Sequence, residues 1–180
     1  ATDQVAADLE TFGFALGGKL VPATVMFSDI RSFTTIAEAQ SPSDTIELLN
    51  DYYALMLDAI GGEGGVVNQI VGDGLMAIFG APAPCADRCE RAVRAAQQMI
   101  ELIEQYNVER IARKSTPIRI GIGIASGQVI AGYTGTQRRA TYTCVGDTVN
   151  LAARLESHTK VVGKPILIDQ ATRRDLDSKI

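Results

Sequence analysis

The chain contains no tryptophan, one histidine and three cysteines among its 180 residues. Cysteines so few and odd in number exclude a disulfide scaffold and indicate a reducing compartment, so we expect a cytoplasmic protein. No apolar run approaches the roughly 20 residues that span a bilayer, and the acidic start of the chain lacks the pattern of a signal peptide. We therefore expect no membrane contact by this segment.

The chain also lacks an excess of positive charge. Its formal net charge is −4, from 17 basic and 21 acidic side chains, which excludes a general nucleic-acid binder. A local phosphate site is compatible with this charge, because a phosphate needs only a few well-placed donors. With 46% hydrophobic and 21% charged residues, the composition is that of a globular domain with one core.

The length suits a single domain. We expect a linker segment over residues 1–20 and the folded domain over residues 21–180. Because the chain begins with Ala1 rather than Met, we expect it to be a piece of a longer protein. Regulatory domains, and room for a membrane anchor, are then expected elsewhere in that parent chain.

Hydrophobic periodicity and turn residues predict the order of the helices and strands. The predicted elements are a buried strand over 23–29, a helix capped by Ser41, a hairpin of strands 66–70 and 75–79, a helix over about 87–113, a strand over 118–125 with a hairpin partner over 129–131 across Ser126 and Gly127, a strand over 141–145, a helix over about 147–157, a strand over 165–169 and a helix over 170–177. This order predicts an α+β fold with a ferredoxin-like βαββαβ core. The core is an antiparallel sheet flanked by helices on one face, with additional strands and helices.

Two carboxylates occupy positions that this topology makes neighbours. Asp29 ends the first buried strand, and Asp73 lies at the tip of the hairpin between Gly72 and Gly74. Carboxylates that meet there repel each other unless a cation lies between them, and such oxygen ligands suit Mg²⁺ or Mn²⁺. The alternative is structural, with Asp29 capping a turn and Asp73 forming a common Asp-Gly turn. The spacing alone leaves both interpretations open.

A second group of polar residues lies on the helix predicted from residue 147. Asp147, Asn150 and Arg154 recur at a spacing that places them on one helix face. An amide and a guanidinium aligned in this way can orient a sugar and stabilise charge on a phosphate. The alternative is a solvated face on which Arg154 pairs with Asp147 or Glu156.

Three segments of the chain resemble the signature segments of class III adenylate and guanylate cyclases, and are most like those of bacterial adenylate cyclases. They are FSDIRSFT from Phe27, VGDGLMAIF from Val71 and YTCVGDTVNLAARLE from Tyr142. The segment IRIGIGI from Ile118 is also similar to that family. The resemblance runs in the family's order from about residue 23 to residue 169.

The resemblance implies that Asp29 and Asp73 hold two divalent cations, Mg²⁺ or Mn²⁺, with the backbone carbonyl of Ile30 as a further ligand. It also implies that Asn150 orients the ribose and that Arg154 stabilises charge at the α-phosphate in the transition state. Two domains of this family meet head to tail, and each site takes residues from both. Because both sets of residues occur here, we expect a homodimer with two equivalent sites.

The residues that read the base depart from the family's pattern. Gln69 stands where typical adenylate cyclases have a lysine, and Thr143 stands where they have an acid. Typical guanylate cyclases have glutamate and cysteine there, whereas threonine resembles a bicarbonate-responsive subclass of adenylate cyclases. The amide and the hydroxyl can each donate or accept a hydrogen bond, so neither dictates adenine. The family's phosphate-binding lysine follows the region that matches Ile166, so we expect a C-terminal truncation.

The resemblance therefore implies an adenylate cyclase, a phosphorus–oxygen lyase that converts ATP to 3′,5′-cyclic AMP and pyrophosphate for signal transduction. A guanylate or mixed-specificity cyclase, which uses GTP, is the near alternative. A catalytically weak module for nucleotide binding and dimerisation is the alternative that is not an enzyme. A diguanylate cyclase would carry a second acid in the hairpin, which residues 71–75 lack.

Overall fold

The computed structural model describes residues 17–136 and 138–176, without the side chains of residues 17 and 69–71. Most of the expected linker, residues 1–16, lies outside the described residues. The helices and strands are β1 (Gly17–Ile30), α1 (Phe33–Glu38), α2 (Pro42–Gly62), β2 (Val66–Val71), β3 (Gly74–Phe79), α3 (Arg88–Ala112), β4 (Ile120–Thr136), β5 (Arg139–Val145), α4 (Asp147–Val162), β6 (Ile166–Ile168) and α5 (Gln170–Leu176).

Strand β1 lies in the centre of a six-stranded sheet. The order is β2-β3-β1-β4-β5, and β6 pairs with the first half of β4. All pairs are antiparallel except that of β4 with β6. The succession β1-α2-β2-β3-α3-β4 confirms the predicted α+β fold with a ferredoxin-like core.

The two faces of the sheet are covered by different helices. Met26, Ile122 and Ile124 are fully buried on one face, where they pack with residues of α2 and α3. Val25 and Ala125 alternate with them and are buried on the other face with residues of α4. The prediction of helices on one face therefore holds for the two core helices, and α4 adds a third layer.

The predicted hairpin turn at Ser126 and Gly127 is wrong. Strand β4 continues through both residues to Thr136 and pairs with β1 along its length. The Ser126 hydroxyl lies in the interior, 2.9 Å from the Thr24 hydroxyl. A turn there would leave backbone groups of β1 without partners inside the sheet, so continuation is favoured. The hairpin instead joins β4 to β5.

The helix beginnings follow their local chemistry more closely. Ser41 caps α2 as predicted, because its side-chain oxygen accepts a hydrogen bond from the Asp44 amide at 3.1 Å. The sequence did not predict α1, and α4 extends to Val162 instead of ending near Ser157. Within the described ranges, every helix is too short or too polar to cross a bilayer.

Candidate active site

The end of β1 and the tip of the β2–β3 hairpin bring the two predicted metal ligands together. The antiparallel register of β1 with β3 places the tip beside the last residues of β1. There the Asp73 carboxylate accepts a hydrogen bond from the Ile30 amide at 3.0 Å. The tip turns at Gly72, whose φ of 59° favours glycine. Asp73 is thereby held next to Asp29.

One oxygen of the carboxylate pair lacks a hydrogen-bond donor in the part of the chain that the structure describes. Asp29 Oδ1 is buried and has no hydrogen-bond partner among the described residues. Burial raises the pKa of Asp73, the hydrogen bond from Ile30 opposes that rise, and the charge of Asp29 adds to it. A cation would satisfy both carboxylates. The donor set therefore fits a divalent metal.

The number of protein ligands indicates which kind of metal would fit. Across residues 17–136 and 138–176, no group of three or more His, Cys, Asp or Glu side chains could hold a metal ion. A cation at Asp29 and Asp73 would take its other ligands from water, backbone and substrate. Mg²⁺ commonly binds in this way, through one or two carboxylates and phosphate oxygens.

A third carboxyl group, which the sequence analysis missed, lies against Asp29. Glu156 of α4 is 7% exposed, and its Oε1 atom has no partner among the described residues. Burial raises the pKa of Glu156 to about 8, and the hydrogen bond to Asp29 and the charge of Asp29 contribute. The raised pKa favours the protonated form of Glu156, which would donate to the Asp29 carboxylate when no cation is bound there.

Glycines in β4 allow α4 to approach the sheet this closely. A Cβ atom on Gly123 would overlap the amide nitrogen of Glu156 and the carbonyl oxygen of Ala152. A Cβ atom on Gly121 would lie 2.5 Å from Thr159 Oγ1 and 3.1 Å from Glu156 Oε1. Glycines at alternate positions of a strand were the sequence signal for this packing, because they free one face of the strand.

The opposite face of α4 carries two predicted catalytic residues. Asn150 and Arg154 are exposed, about half a turn around the helix from Ala152, which is buried against the sheet. Arg154 borders an open groove with His158 and Val161. The structure therefore places Asn150 and Arg154 on one surface, which faces away from the sheet that carries Asp29.

The alternative interpretation of this face required an ion pair. Among the described residues, the ion pairs do not include Arg154, so neither Asp147 nor Glu156 neutralises it. Asp147 is exposed in the first turn of α4, where its charge suits the helix dipole. The Arg154 guanidinium is thus available to an anion from outside the chain.

The predicted base-reading positions lie on strands that meet. Gln69 lies in β2 opposite Met76, and its side chain is outside the described residues. Thr143 in β5 is half-buried and accepts a hydrogen bond from Asn68 Nδ2 at 3.1 Å. Because Asn68 precedes Gln69, this bond brings the two positions to the same region of one chain. The sequence analysis missed Asn68.

Comparison with known proteins identifies the family. The chain is 35% identical over 148 residues to adenylate cyclase 1 of Rhizobium meliloti. The aligned region covers 82% of this chain and 22% of that relative. This chain thus spans about a fifth of the length of that relative. The structure of the guanylyl cyclase Cya2 matches with a TM-score of 0.82 at 34% identity, over 89% of this chain and 80% of that one.

The adenylyl cyclase CyaB from P. aeruginosa matches equally well. Its TM-score is 0.82 at 32% identity, over 92% of this chain and 85% of that one. The family model described as the adenylate and guanylate cyclase catalytic domain matches residues 19–179. These matches confirm the resemblance carried by the three signature segments. The chain therefore belongs to the family of class III adenylate and guanylate cyclase catalytic domains.

Proposed function

We propose that this domain converts a nucleoside triphosphate to a 3′,5′-cyclic nucleotide and pyrophosphate, at sites shared between two copies of the chain. The separation of two half-sites carries the proposal. Asp29 and Asp73 lie at the end of β1, whereas Asn150 and Arg154 lie on the outer face of α4. A second copy, arranged head to tail, would present its α4 face to the first copy's carboxylates and complete the site.

Asp29 and Asp73 would hold two divalent cations, Mg²⁺ or Mn²⁺, together with the Ile30 carbonyl. The buried Asp29 Oδ1 atom without a donor fits this role. When bound, the cations would favour loss of the proton from the ribose 3′-hydroxyl and neutralise charge on the phosphates. The hydrogen bond from the Ile30 amide keeps Asp73 in position at the end of β1.

The outer face of α4 would supply the groups that act on the sugar and the α-phosphate. The Asn150 amide would hold the ribose so that its 3′-oxygen lies in line with the bond to the leaving group. The 3′-oxygen attacks the α-phosphorus, the bond to the β-phosphate oxygen breaks, and pyrophosphate leaves. The Arg154 guanidinium, one turn along the same face, would stabilise the charge that develops at the α-phosphate.

ATP is the preferred substrate in this proposal. The fold does not distinguish the substrates, because a guanylyl and an adenylyl cyclase both match with a TM-score of 0.82. Base choice would depend on Gln69 and Thr143. The threonine at position 143 resembles the residue found in a subclass of adenylate cyclases more than it resembles the cysteine typical of guanylate cyclases. Both residues can donate or accept, so the preference for ATP is modest.

A mixed-specificity cyclase is the second candidate. The hydrogen bond from Asn68 to Thr143 favours it, because that bond leaves the Thr143 hydroxyl hydrogen available to an acceptor on the base. This candidate shares the reaction and the half-sites of the first. It differs only in how far ATP is preferred over GTP.

Product analysis with each nucleotide tests the proposal. The chain is incubated with Mn²⁺ and either ATP or GTP, and the products are separated by chromatography and identified by mass. We expect cyclic AMP and pyrophosphate, with slower formation of cyclic GMP. Mn²⁺ should support more turnover than Mg²⁺, whose geometry is stricter. A folded protein that forms no cyclic product from either nucleotide would contradict the proposed function, and Asp73→Ala supplies the inactive control.

A further inference from the structure

Asn68 lies beside the base-reading positions and contacts one of them. Its Nδ2 atom donates a hydrogen bond to Thr143 Oγ1 at 3.1 Å. We propose that Asn68 is a positioning residue that sets whether the Thr143 hydroxyl donates or accepts, and that it thereby biases the choice between ATP and GTP. This inference rests on the proposed cyclase function and identifies what determines base choice within it.

An irregularity in β2 makes the contact with β5 accessible. The register with β3 shifts between Val67 and Gln69, so Asn68 lies at a bulge and has no partner residue in β3. A bulge redirects a side chain out of the regular alternation of the strand. The Asn68 amide consequently reaches Thr143 on β5, although β2 and β5 lie at opposite ends of the sheet order.

The hydrogen bond decides what Thr143 can offer to a base. A hydroxyl has one hydrogen and two lone pairs. When Asn68 Nδ2 donates to Thr143, the Thr143 hydrogen is left for an acceptor such as guanine O6. When the amide is turned by half a rotation, Asn68 Oδ1 takes the Thr143 hydrogen. Both lone pairs of Thr143 then face the base and suit the adenine N6 amino group.

The amide is not locked in either orientation by the described residues. Asn68 Oδ1 is buried and has no hydrogen-bond partner among them. Turning the amide would leave Nδ2 unpaired in its place, so each orientation leaves one buried polar atom without a partner. A small chemical change at Asn68 should therefore select one state of Thr143.

Thr143 is only partly buried and lies beside a surface groove that a base could enter. Thr143 borders a surface groove of about 340 Å³ together with Ile130, Gly132, Tyr133 and Val145. The groove is apolar, so a hydrogen bond made there is less weakened by water than one on an open surface. The donor or acceptor state of Thr143 should consequently affect which base binds.

Asn68→Asp is the sharpest test, because a carboxylate only accepts and Thr143 must then donate to it. The ratio of kcat/KM for ATP to that for GTP should rise roughly tenfold, the scale of one hydrogen bond. Asn68→Leu frees the Thr143 hydroxyl and should give a ratio between those of the wild type and Asn68→Asp. Asn107→Asp is the matched control. The Asn107 amide bonds the Ile118 backbone, so the ratio should not change.

A double-mutant cycle shows whether Asn68 acts through Thr143. In a Thr143→Val background, Asn68→Asp should no longer change the ratio. A shift that survives in that background would overturn the inference, because Asn68 would then act on the base directly. An unchanged ratio in both Asn68→Asp and Asn68→Leu would also overturn it.

Binding measurements separate this inference from the proposed function. The dissociation constants of ATP and GTP are measured by competition with a fluorescent nucleotide, which needs no turnover. Absence of cyclic product from the wild type would contradict the proposed function but not the inference about Asn68. The dissociation constant of GTP divided by that of ATP should still rise in Asn68→Asp. A quotient that stays the same would overturn the inference even in an active enzyme.

Discussion

The two faces of helix α4 differ in how closely other parts of the chain pack against them. The inner face packs against glycines of β4 so closely that a single Cβ atom at Gly123 would overlap the α4 backbone. The outer face carries Asn150 and Arg154, which are exposed. Arg154 forms no ion pair with any of the described residues. The inner face is constrained by the space available against β4, whereas the charged group of the outer face forms no ion pair with the described residues.

This contrast separates fold from function within one helix. A charged side chain that the fold leaves exposed is ordinary on its own. Here Asn150 and Arg154 stand one turn apart on a helix whose position the glycines determine closely. The inner face thus sets where the outer face points, and a second copy of the chain could use that surface. Changes on the inner face should cost stability, and changes on the outer face should cost turnover.

The largest expected effect is on the outer face. Arg154→Ala should lower turnover by about 10³-fold or more, because the charge at the transferring phosphate loses its stabilising guanidinium. The free energy of unfolding should change by less than about 0.5 kcal/mol, as for other exposed substitutions. Steady-state kinetics and urea unfolding of the same protein measure both quantities. A large loss of stability would contradict the separation of the two faces.

Complementation shows whether that outer face acts on a second copy. Asp29→Ala and Arg154→Ala proteins should each be inactive, and their mixture should recover activity. Up to about half of the mixed dimers would be heterodimers with one intact site. Failure to recover activity, with subunit exchange demonstrated, would mean that each chain contains its whole site.

The inner face should respond in stability instead. Gly123→Ala places a methyl group against the backbone of α4, and this overpacking should cost about 3 kcal/mol. Gly61→Ala is the matched control, because among the described residues nothing beyond its own helix backbone and chain neighbours lies within 4 Å of a Cβ atom there. That change in the last turn of α2 should stabilise the protein by about 0.4–1 kcal/mol. Equal effects of the two substitutions in urea unfolding would contradict the close packing of α4.

Local signals explain which elements the sequence predicted. Ser41 caps a helix through its own neighbours, and the turn at Gly72 and Asp73 depends on residues within the hairpin. The prediction of a turn at Ser126 and Gly127 was wrong, because pairing with β1, which is distant in sequence, overrides the local turn signal.

The site shows the same division between local and distant determinants. Local signals, a strand end and a turn, made Asp29 and Asp73 candidates, and the resemblance to the cyclase family decided for the metal interpretation. Glu156 was missed because its burial depends on glycines some 30 residues away, and Asn68 because a bulge redirects its side chain. Residues whose role arises from packing between distant elements could not be read from the pattern of their own segment.

Base choice should respond to neither face of α4. The wild type should prefer ATP over GTP by roughly ten- to hundredfold in kcat/KM, about 1.4–2.7 kcal/mol. Gln69→Lys should raise this preference about tenfold, since a lysine donates to adenine N1 and conflicts with the guanine N1–H. Kinetics with both nucleotides on both variants measure the change. Wild-type exclusion of GTP by more than about 10⁴ would show that other residues read the base.

The last expected effect concerns Glu156, where the inner face of α4 also meets Asp29. Burial first, and then Asp29, raise the pKa of Glu156 from 4.5 to about 8. The folded protein therefore holds a proton that the unfolded chain releases above pH 4.5. The stability that the neutral Glu156 contributes is complete below about pH 4.5 and is lost as the pH rises through about 8. Glu156→Gln keeps the shape and the donor without the titration.

The difference between wild type and Glu156→Gln should consequently depend on pH. With a chelator present, the melting temperatures should be similar at pH 5. At pH 8.5 the variant should melt clearly higher, because one pKa unit corresponds to about 1.4 kcal/mol and the rise from 4.5 to about 8 costs the wild type on the order of several kcal/mol over this range. Each kcal/mol shifts the melting temperature by about 2–4 °C in a domain of this size. Thermal unfolding of both proteins across this range measures the gap. A gap that stays constant with pH would show that Glu156 is already ionised in the folded protein and that Asp29 receives no proton from it.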